Sequence, residues 1–445
     1  MTWPNRIAFV LMIVVVIVTT IAYGAVHQPI LALFYAAVAL MVILWSVDAL
    51  KRGEVKLSTS MLQIPLYAAA AYAAVQSIPF GTMAEIAGIS GIPRTISLDP
   101  FATQMSALHF AALALFFSIS LALVDSASRI RKLVIVIAVF GFAYAFFAIL
   151  QSVLSPGKIY GIYEVRFAVP FGSFVNRHNF AAYMEMTIAL PLGMLFAGAV
   201  ARDKRLLYIT AISLMGVALL MSGSRGGLVA FLAQVIFLVI LTTRTKSKRA
   251  LYLKLGFAAL LVAGVVVGSI FIGGESSLTR VAETATSNDI TTDRGHIWSV
   301  TTRVIADNVP LGAGFGALGV AYTAFDTHSG LERAEQAHND YMQVVADAGL
   351  VGAVIGLFFL FCLFREGLSS ANVDNTLRRG VAVGALAGLF AVLVHSIFDF
   401  VLHTTAIALL FITLMTLVVA CRQKFDDDVR SPEIQKKRRQ GSRAT

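Results

Sequence analysis

Charge is scarce in this chain, where only 13% of the 445 residues are Asp, Glu, Lys or Arg. Soluble domains carry about 25%, so a water-exposed globular fold is excluded. There are only two cysteines, Cys362 and Cys421, which provide neither a disulfide framework nor metal-ligand spacing. Short segments of alternating polarity are missing, which excludes a transmembrane β-barrel. No basic domain with base-stacking aromatics exists, so the net charge of +10 does not imply nucleic-acid binding. No repeated halves are evident.

What the chain has instead is apolar length. Hydrophobic residues make up 58% and the mean hydropathy is +0.80, the signature of an all-α polytopic membrane protein. The pattern predicts 12 spans, at about 7–23, 29–47, 60–79, 103–124, 133–153, 179–200, 206–222, 226–242, 251–272, 344–364, 380–400 and 404–421. The chain thus reads as a single membrane domain over residues 1–421 with a basic tail at 422–445. The first run reads as a retained span rather than a signal peptide, because Arg6 is its only preceding cation and a second apolar run follows at once.

Lys and Arg set the orientation. With both termini cytoplasmic, the outer segments keep only Arg94, Lys158, Arg166, Arg177, Arg225, Arg280, Arg294, Arg303 and Arg333 of the 35 cations. The inner connections are short and basic, and Lys436-Lys437-Arg438-Arg439 in the tail suits anionic headgroups.

Two outer segments stand out. From Ser155 to Arg177, Tyr160, Tyr163, Phe167, Phe171 and Phe174 mix with Arg166 and Arg177, a composition suited to the headgroup zone. The long loop 273–343 opens with GGESSLTR and ETATSNDITT, then becomes periodic. From Asp293 to Asp307, Ile297, Trp298, Thr301, Val304 and Ile305 recur at helical spacing, with Thr292 or Asp293 as N-cap. This predicts an amphipathic helix on the bilayer or over the bundle, ended by Pro310 and followed by the glycine-rich LGAGFGALG. Loops of such length with their own helix tend to be functional.

Three polar features fall on that side. Arg225 sits in a Gly223-Ser224-Arg225-Gly226-Gly227 turn. A lone boundary arginine can merely snorkel, but among glycines its planar fork of donors is open to phosphate oxygens. Arg294 leads the amphipathic helix, where orphan N–H groups favour an anion. Arg303, nine residues on, points about 180° away, so only one of the two faces the bundle. The third feature is His338-Asn339. With an unperturbed pKa of about 6.5, an imidazole can accept a proton at ambient pH. Glu335 or Asp340 is close enough in sequence to orient it, Asn339 could fix a substrate hydroxyl, and Gly349 and Gly352 permit close helix packing behind it.

Weaker candidates are Arg177 and His178, in Asn176-Arg177-His178-Asn179, and Arg166, as lining of an outer cavity. His395 and Asp399 read as an i,i+4 structural pair. Glu185, within a span, requires an internal partner that the sequence does not identify, and His109 and His403 have no assigned role. Arg225, Arg294 and His338 together read as cations for a diphosphate leaving group and a base for a hydroxyl nucleophile. No DxD-type pair or His/Cys cluster lies on that side, so fixed arginines take the place of a metal.

These residues resemble the bacterial O-antigen ligase/O-antigen polymerase superfamily. The likeness rests on Ser224–Gly227, Arg-x-x-x-Trp at 294–298, PLGAGFG at 310–316, and His338-Asn339 followed after nine residues by Gly349-Leu-Val-Gly352. SLDPFAT at 97–103 and FGSFVNRHNFAAYM at 171–184 are similar to segments of the superfamily, and its specific part covers about residues 171–400. The resemblance implies a GT-C-like glycosyltransferase of the bacterial inner membrane, with its site on the periplasmic face and no cofactor. Its donor would be a glycan on undecaprenyl diphosphate, and the acceptor a hydroxyl of lipid A–core in a ligase. Alternatives are a second lipid-linked repeat in an O-antigen or exopolysaccharide polymerase, or a protein hydroxyl in an O-oligosaccharyltransferase. Carried over, Arg225 and Arg294 would bind diphosphate and His338 would activate the acceptor for direct, inverting attack. A polysaccharide transporter is the competing class, but carriers concentrate ionisable groups near the midplane.

Overall fold

The computed structural model describes residues 2–84, 88–166, 168–243, 248–272, 294–327 and 334–423. The expectations for the Gly/Ser/Thr stretch of the long loop, the N-cap at Thr292 or Asp293, Phe167 and the tail beyond 423 lie outside the described residues. Among those described, 14 α-helices and one two-residue-per-strand hairpin form the protein.

The first half comprises α1 (Trp3–Ile21), α2 (Gln28–Arg52), α3 (Gln63–Gln76), α4 (Pro100–Leu123) and α5 (Ala127–Leu154). The hairpin β1 (Lys158–Ile159) and β2 (Tyr163–Glu164) follows, and then α6 (Arg177–Phe196). The second half holds α7 (Arg205–Met221), α8 (Arg225–Thr242), α9 (Lys248–Ile272), α10 (Arg294–Asn308) and α11 (Leu318–Tyr322). It closes with α12 (Asp340–Ser370), α13 (Thr376–His395) and α14 (Thr405–Arg422).

Ten described helices are long and apolar enough to cross a membrane, which makes a multi-pass protein. They coincide with ten of the 12 expected spans. The expected span at 60–79 is α3, whose 14 residues reach about 21 Å at 1.5 Å per residue, short of a ~30 Å hydrocarbon core. The one at 251–272 falls in α9, where the apolar part is Tyr252–Gly264 among the described residues.

The centre of the bundle is α6, α13 and α14. The apolar windows of α6 and α14 are each 94% buried, against 22% for α2. Glycines bring α6 and α13 into backbone contact: a Cβ on Gly193 would overlap Gly384, and one on Gly384 would lie 2.6 Å from Ala189 O. Small residues at a crossing let helices approach until backbone atoms touch, where dispersion contact replaces the missing hydrophobic drive. The pair runs antiparallel from this crossing, and carries Glu185 of α6 to His395 of α13.

Helix α12 is broken at Gly349 (φ +57°, ψ −145°). That conformation is essentially restricted to glycine, and a Cβ there would overlap Pro310 O. The break frees Leu350 N–H, which donates to Pro310 O at 2.9 Å. Ala313 and Gly314 N–H donate to Ala346 and Asp347 carbonyls at 2.8 Å each, and Leu98 N–H donates to Ala313 O at 2.8 Å. Gln76 at the end of α3 adds Nε2 bonds to Leu311 O at 3.0 Å and Asp347 O at 2.9 Å. The segments 97–103, 310–316 and 346–350 thereby interlock through their backbones. The sequence predicted packing freedom for Gly349 and Gly352; at Gly349 the use is sharper, an interruption that exposes backbone groups to a neighbouring loop.

Helix α10 forms where the periodicity predicted it and packs against α12 and α11. Val300, Thr301 and Val304 are its buried residues, and Trp298 Nε1 donates to Ala337 O at 2.9 Å. That bond ties α10 to the residue just before His338.

Candidate active site

Four helices begin where the sequence placed its candidates. Asn176 caps α6, its Oδ1 accepting from His178 N–H at 2.9 Å. Ser224 caps α8, with Oγ accepting from Gly227 N–H at 3.2 Å. Asn339 caps α12, with Oδ1 accepting from Tyr341 and Met342 N–H at 3.0 Å each. Arg294 is the first described residue of α10. Helix starts expose orphan N–H groups at the positive end of the dipole. Basic residues there, at 177, 225 and 294, oppose helix stability, and they concentrate positive potential suited to an anion.

The segment 396–404 between α13 and α14 supplies the carboxylate that joins these starts. Arg294 Nη2 donates to Asp399 Oδ2 at 3.3 Å, and His338 Nδ1 lies 3.2 Å from Asp399 Oδ1. His178 Nδ1 stands 3.7 Å from Oδ2. Asp399 is 2% exposed. Burial alone would raise its pKa, but the hydrogen bond from His338 and the charges of His178, His338 and Arg294 hold it well below the usual carboxylate range. An ionised carboxylate only accepts, so the His338 nitrogen that faces it, Nδ1, is the one that carries a proton. The Phe400 ring packs edge-on against this imidazole at 4.7 Å. His338 itself sits at φ +49°, a left-handed conformation held by the contacts on either side of it.

Behind the junction runs a second polar line. His178 Nδ1 is 2.8 Å from Ser224 Oγ, which is 3.5 Å from His395 Nε2. His395 Nδ1 lies 2.9 Å from Glu185 Oε1. Ser224, His395 and Glu185 are each wholly buried. Glycines make the room, since a Cβ on Gly226 would come 3.1 Å from His395 Nε2 and one on Gly227 3.1 Å from Glu185 Oε1.

The structure brings His338, Arg294 and His178 together on Asp399. Arg225 is exposed and directly follows Ser224, whose Oγ contacts His178. Arg177 joins the same neighbourhood, its Nη1 3.5 Å from where a Gly223 Cβ would stand. Arg166 is exposed in the loop after β2, and among the described residues no contact links it to this junction. Besides capping α12, Asn339 donates from Nδ2 to Ile397 O at 3.0 Å.

Two local expectations change, and the unassigned histidines gain partners. Neither Glu335 nor Asp340 orients His338. Asp340 instead accepts from Ser396 Oγ at 2.7 Å and His403 Nδ1 at 2.8 Å, while the Glu335 carboxylate packs over Gly319. The side chains of His395 and Asp399 do not pair with each other: Asp399 N–H donates to His395 O at 3.2 Å, while its carboxylate turns towards Arg294. His109 pairs with Tyr35, its Nδ1 3.2 Å from the phenolic oxygen. The sequence signal that could have identified Asp399 was its cost: an ionisable residue in so apolar a stretch needs a partner.

Residues 210–357 match a family model described as O-antigen ligase. The match runs from within α7 to within α12 and includes Arg225, Arg294, His338, Gly349 and Gly352. It supports the resemblance carried by those motifs, while 97–103, 171–184 and Asp399 fall outside it. No curated protein matches the chain.

Proposed function

We propose that this protein is a metal-independent, inverting glycosyltransferase of the inner membrane, of GT-C-like architecture, acting at the periplasmic face. It moves a glycan from undecaprenyl diphosphate to an acceptor hydroxyl, as an O-antigen ligase with lipid A–core as acceptor. The observation that carries this reading is the Asp399 carboxylate, which couples an anion-binding arginine, Arg294, to a base, His338. The O-antigen ligase match over residues 210–357 supports the reaction class.

Arg225 and Arg294, at the positive starts of α8 and α10, hold the diphosphate, with Arg177 and His178 beside them. His338 Nε2 takes the proton of the acceptor hydroxyl as its oxygen bonds to the anomeric carbon. The bond from that carbon to the diphosphate oxygen breaks on the opposite face. The departing negative charge is met by fixed guanidinium groups, which need no reorganisation at the moment of reaction. Asp399 stabilises the imidazolium that forms, as an oriented carboxylate does for a histidine base.

The test is transfer by purified protein in detergent, with lipid-linked donor and defined acceptor. Product formed without a membrane gradient and in excess EDTA is expected. Product only with a gradient would return the transporter reading, and EDTA inactivation would refute metal independence. Arg225→Ala and His338→Ala should each abolish transfer with expression and insertion intact. In cells, gene deletion should remove long chains from lipid A while lipid-linked polymer accumulates; failure to make polymer would identify a repeat-unit polymerase instead.

A further inference from the structure

Two ionisable groups lie where the proposed chemistry does not reach. Glu185 and His395 are completely buried between α6 and α13, and Glu185 Oε2 is a buried oxygen with no hydrogen-bond partner among the described residues. Ionisable residues within a span are costly and persist where they serve function. A packing role is a poor account, since apolar residues of similar volume would fill the same space without a desolvation cost.

Their connection is directional. Ser224 Oγ accepts from Gly227 N–H, so its remaining lone pair and its one proton are shared between His178 and His395. If Glu185 accepts from the Nδ1–H of a neutral His395, Ser224 donates to His395 Nε2 and accepts from His178 Nδ1–H. His178 Nε2 is then an acceptor. If Glu185 donates, every bond reverses and Nε2 becomes a donor. The bond made by one imidazole nitrogen fixes the proton on the other.

We propose that Glu185 and His395 are positioning residues of the transfer reaction, acting through Ser224 to fix the tautomer and orientation of His178 beside the Asp399 junction. Ser224 is the joint. It caps α8, which sets where Arg225 begins, and it receives the buried pair from behind. This inference rests on the glycosyltransferase reading and adds to it a role for a membrane-buried acid.

The experiment compares wild type with Glu185→Leu/His395→Leu, a double change that removes both buried polar partners together. Replacing both ends of a buried hydrogen bond by apolar groups is close to neutral for folding. The variant should insert and melt like wild type, while kcat for transfer falls at least tenfold and KM for donor and acceptor stays within about threefold. Ser224→Ala cuts the same line without touching the pair and should give a similar fall in kcat. Ser224→Thr, which keeps the hydroxyl, should restore most of it. A kcat within about twofold of wild type in the double variant, or in Ser224→Ala if the double variant fails to insert, overturns the proposal. His338→Ala is the control: if it also retains transfer, the glycosyltransferase site is wrong, whereas an inactive His338→Ala beside an active double variant rejects only the buried line.

Discussion

His338 Nδ1 and Asp399 Oδ1 lie 3.2 Å apart across 61 residues of sequence. The ionised carboxylate dictates which imidazole nitrogen holds the proton, and the same carboxylate reaches Arg294 through its other oxygen. The proposed base and the proposed anion-binding cation thus share one buried support. Arg294, the guanidinium paired with Asp399, is also one of the cations proposed to act on substrate.

Asp399→Asn tests that support directly. An amide can offer N–H to His338 Nδ1 and so favour the wrong tautomer, with Nε2 protonated. Transfer should fall on the order of 10²–10⁴ in kcat, by analogy with carboxylates that orient catalytic histidines. Steady-state kinetics with saturating donor measures it. Wild-type kcat in this variant would mean that Asp399 only holds the loop.

The same substitution has a pH signature in stability. Asp399 is held below the ordinary carboxylate range in the folded protein. Its contribution is therefore present above the unfolded value of about 3.9 and is lost as pH falls through the folded value. The gap in melting temperature between wild type and Asp399→Asn should be full at pH 7 and persist at pH 5. It should narrow only below about pH 4. Thermal melts in detergent at these values decide it, and a gap that widens in acid contradicts the sign.

Arg294 and Arg303 occupy the same helix and should behave differently. Arg294 contacts Asp399, while Arg303 is exposed. Arg294→Ala should lower kcat/KM on the order of 10²–10³, the usual cost of removing a charge-stabilising donor. Arg294→Lys should recover only part of this, because an ammonium lacks the planar fork. Arg303→Ala should stay within about twofold of wild type. Equal losses at 294 and 303 would overturn the assigned helix face.

Gly349 and Gly356 give a paired test of the broken helix. Gly349→Ala places a Cβ against Pro310 O at a backbone conformation that side chains avoid. It should destabilise the fold by at least 1–3 kcal/mol, the approximate range for such strain. Around Gly356 a Cβ meets nothing within 4 Å, so Gly356→Ala should be close to neutral. Melting temperatures of the two variants measure the contrast, and a silent Gly349→Ala would show that the break is not required.

Ten of the expected spans and the amphipathic segment were legible in the sequence because their causes are local. Apolar run length predicts a span, 3.6-residue periodicity predicts a helix face, and His338, Arg225 and Arg294 were conspicuous as polar groups beside apolar runs. Partner choice was not legible. Two nearby acids, Glu335 and Asp340, competed for His338, yet the partner is Asp399, delivered by a turn between α13 and α14. Glu185 announced its need for a partner, but identifying His395, 210 residues away, required the glycine crossing of α6 and α13. Sequence by itself determined which residues must be paired or must face the bundle, since that follows from desolvation and periodicity. Only the tertiary structure decided which groups meet, because a pairing between distant helices depends on crossing angle and closeness, and those are set by packing along the entire interface.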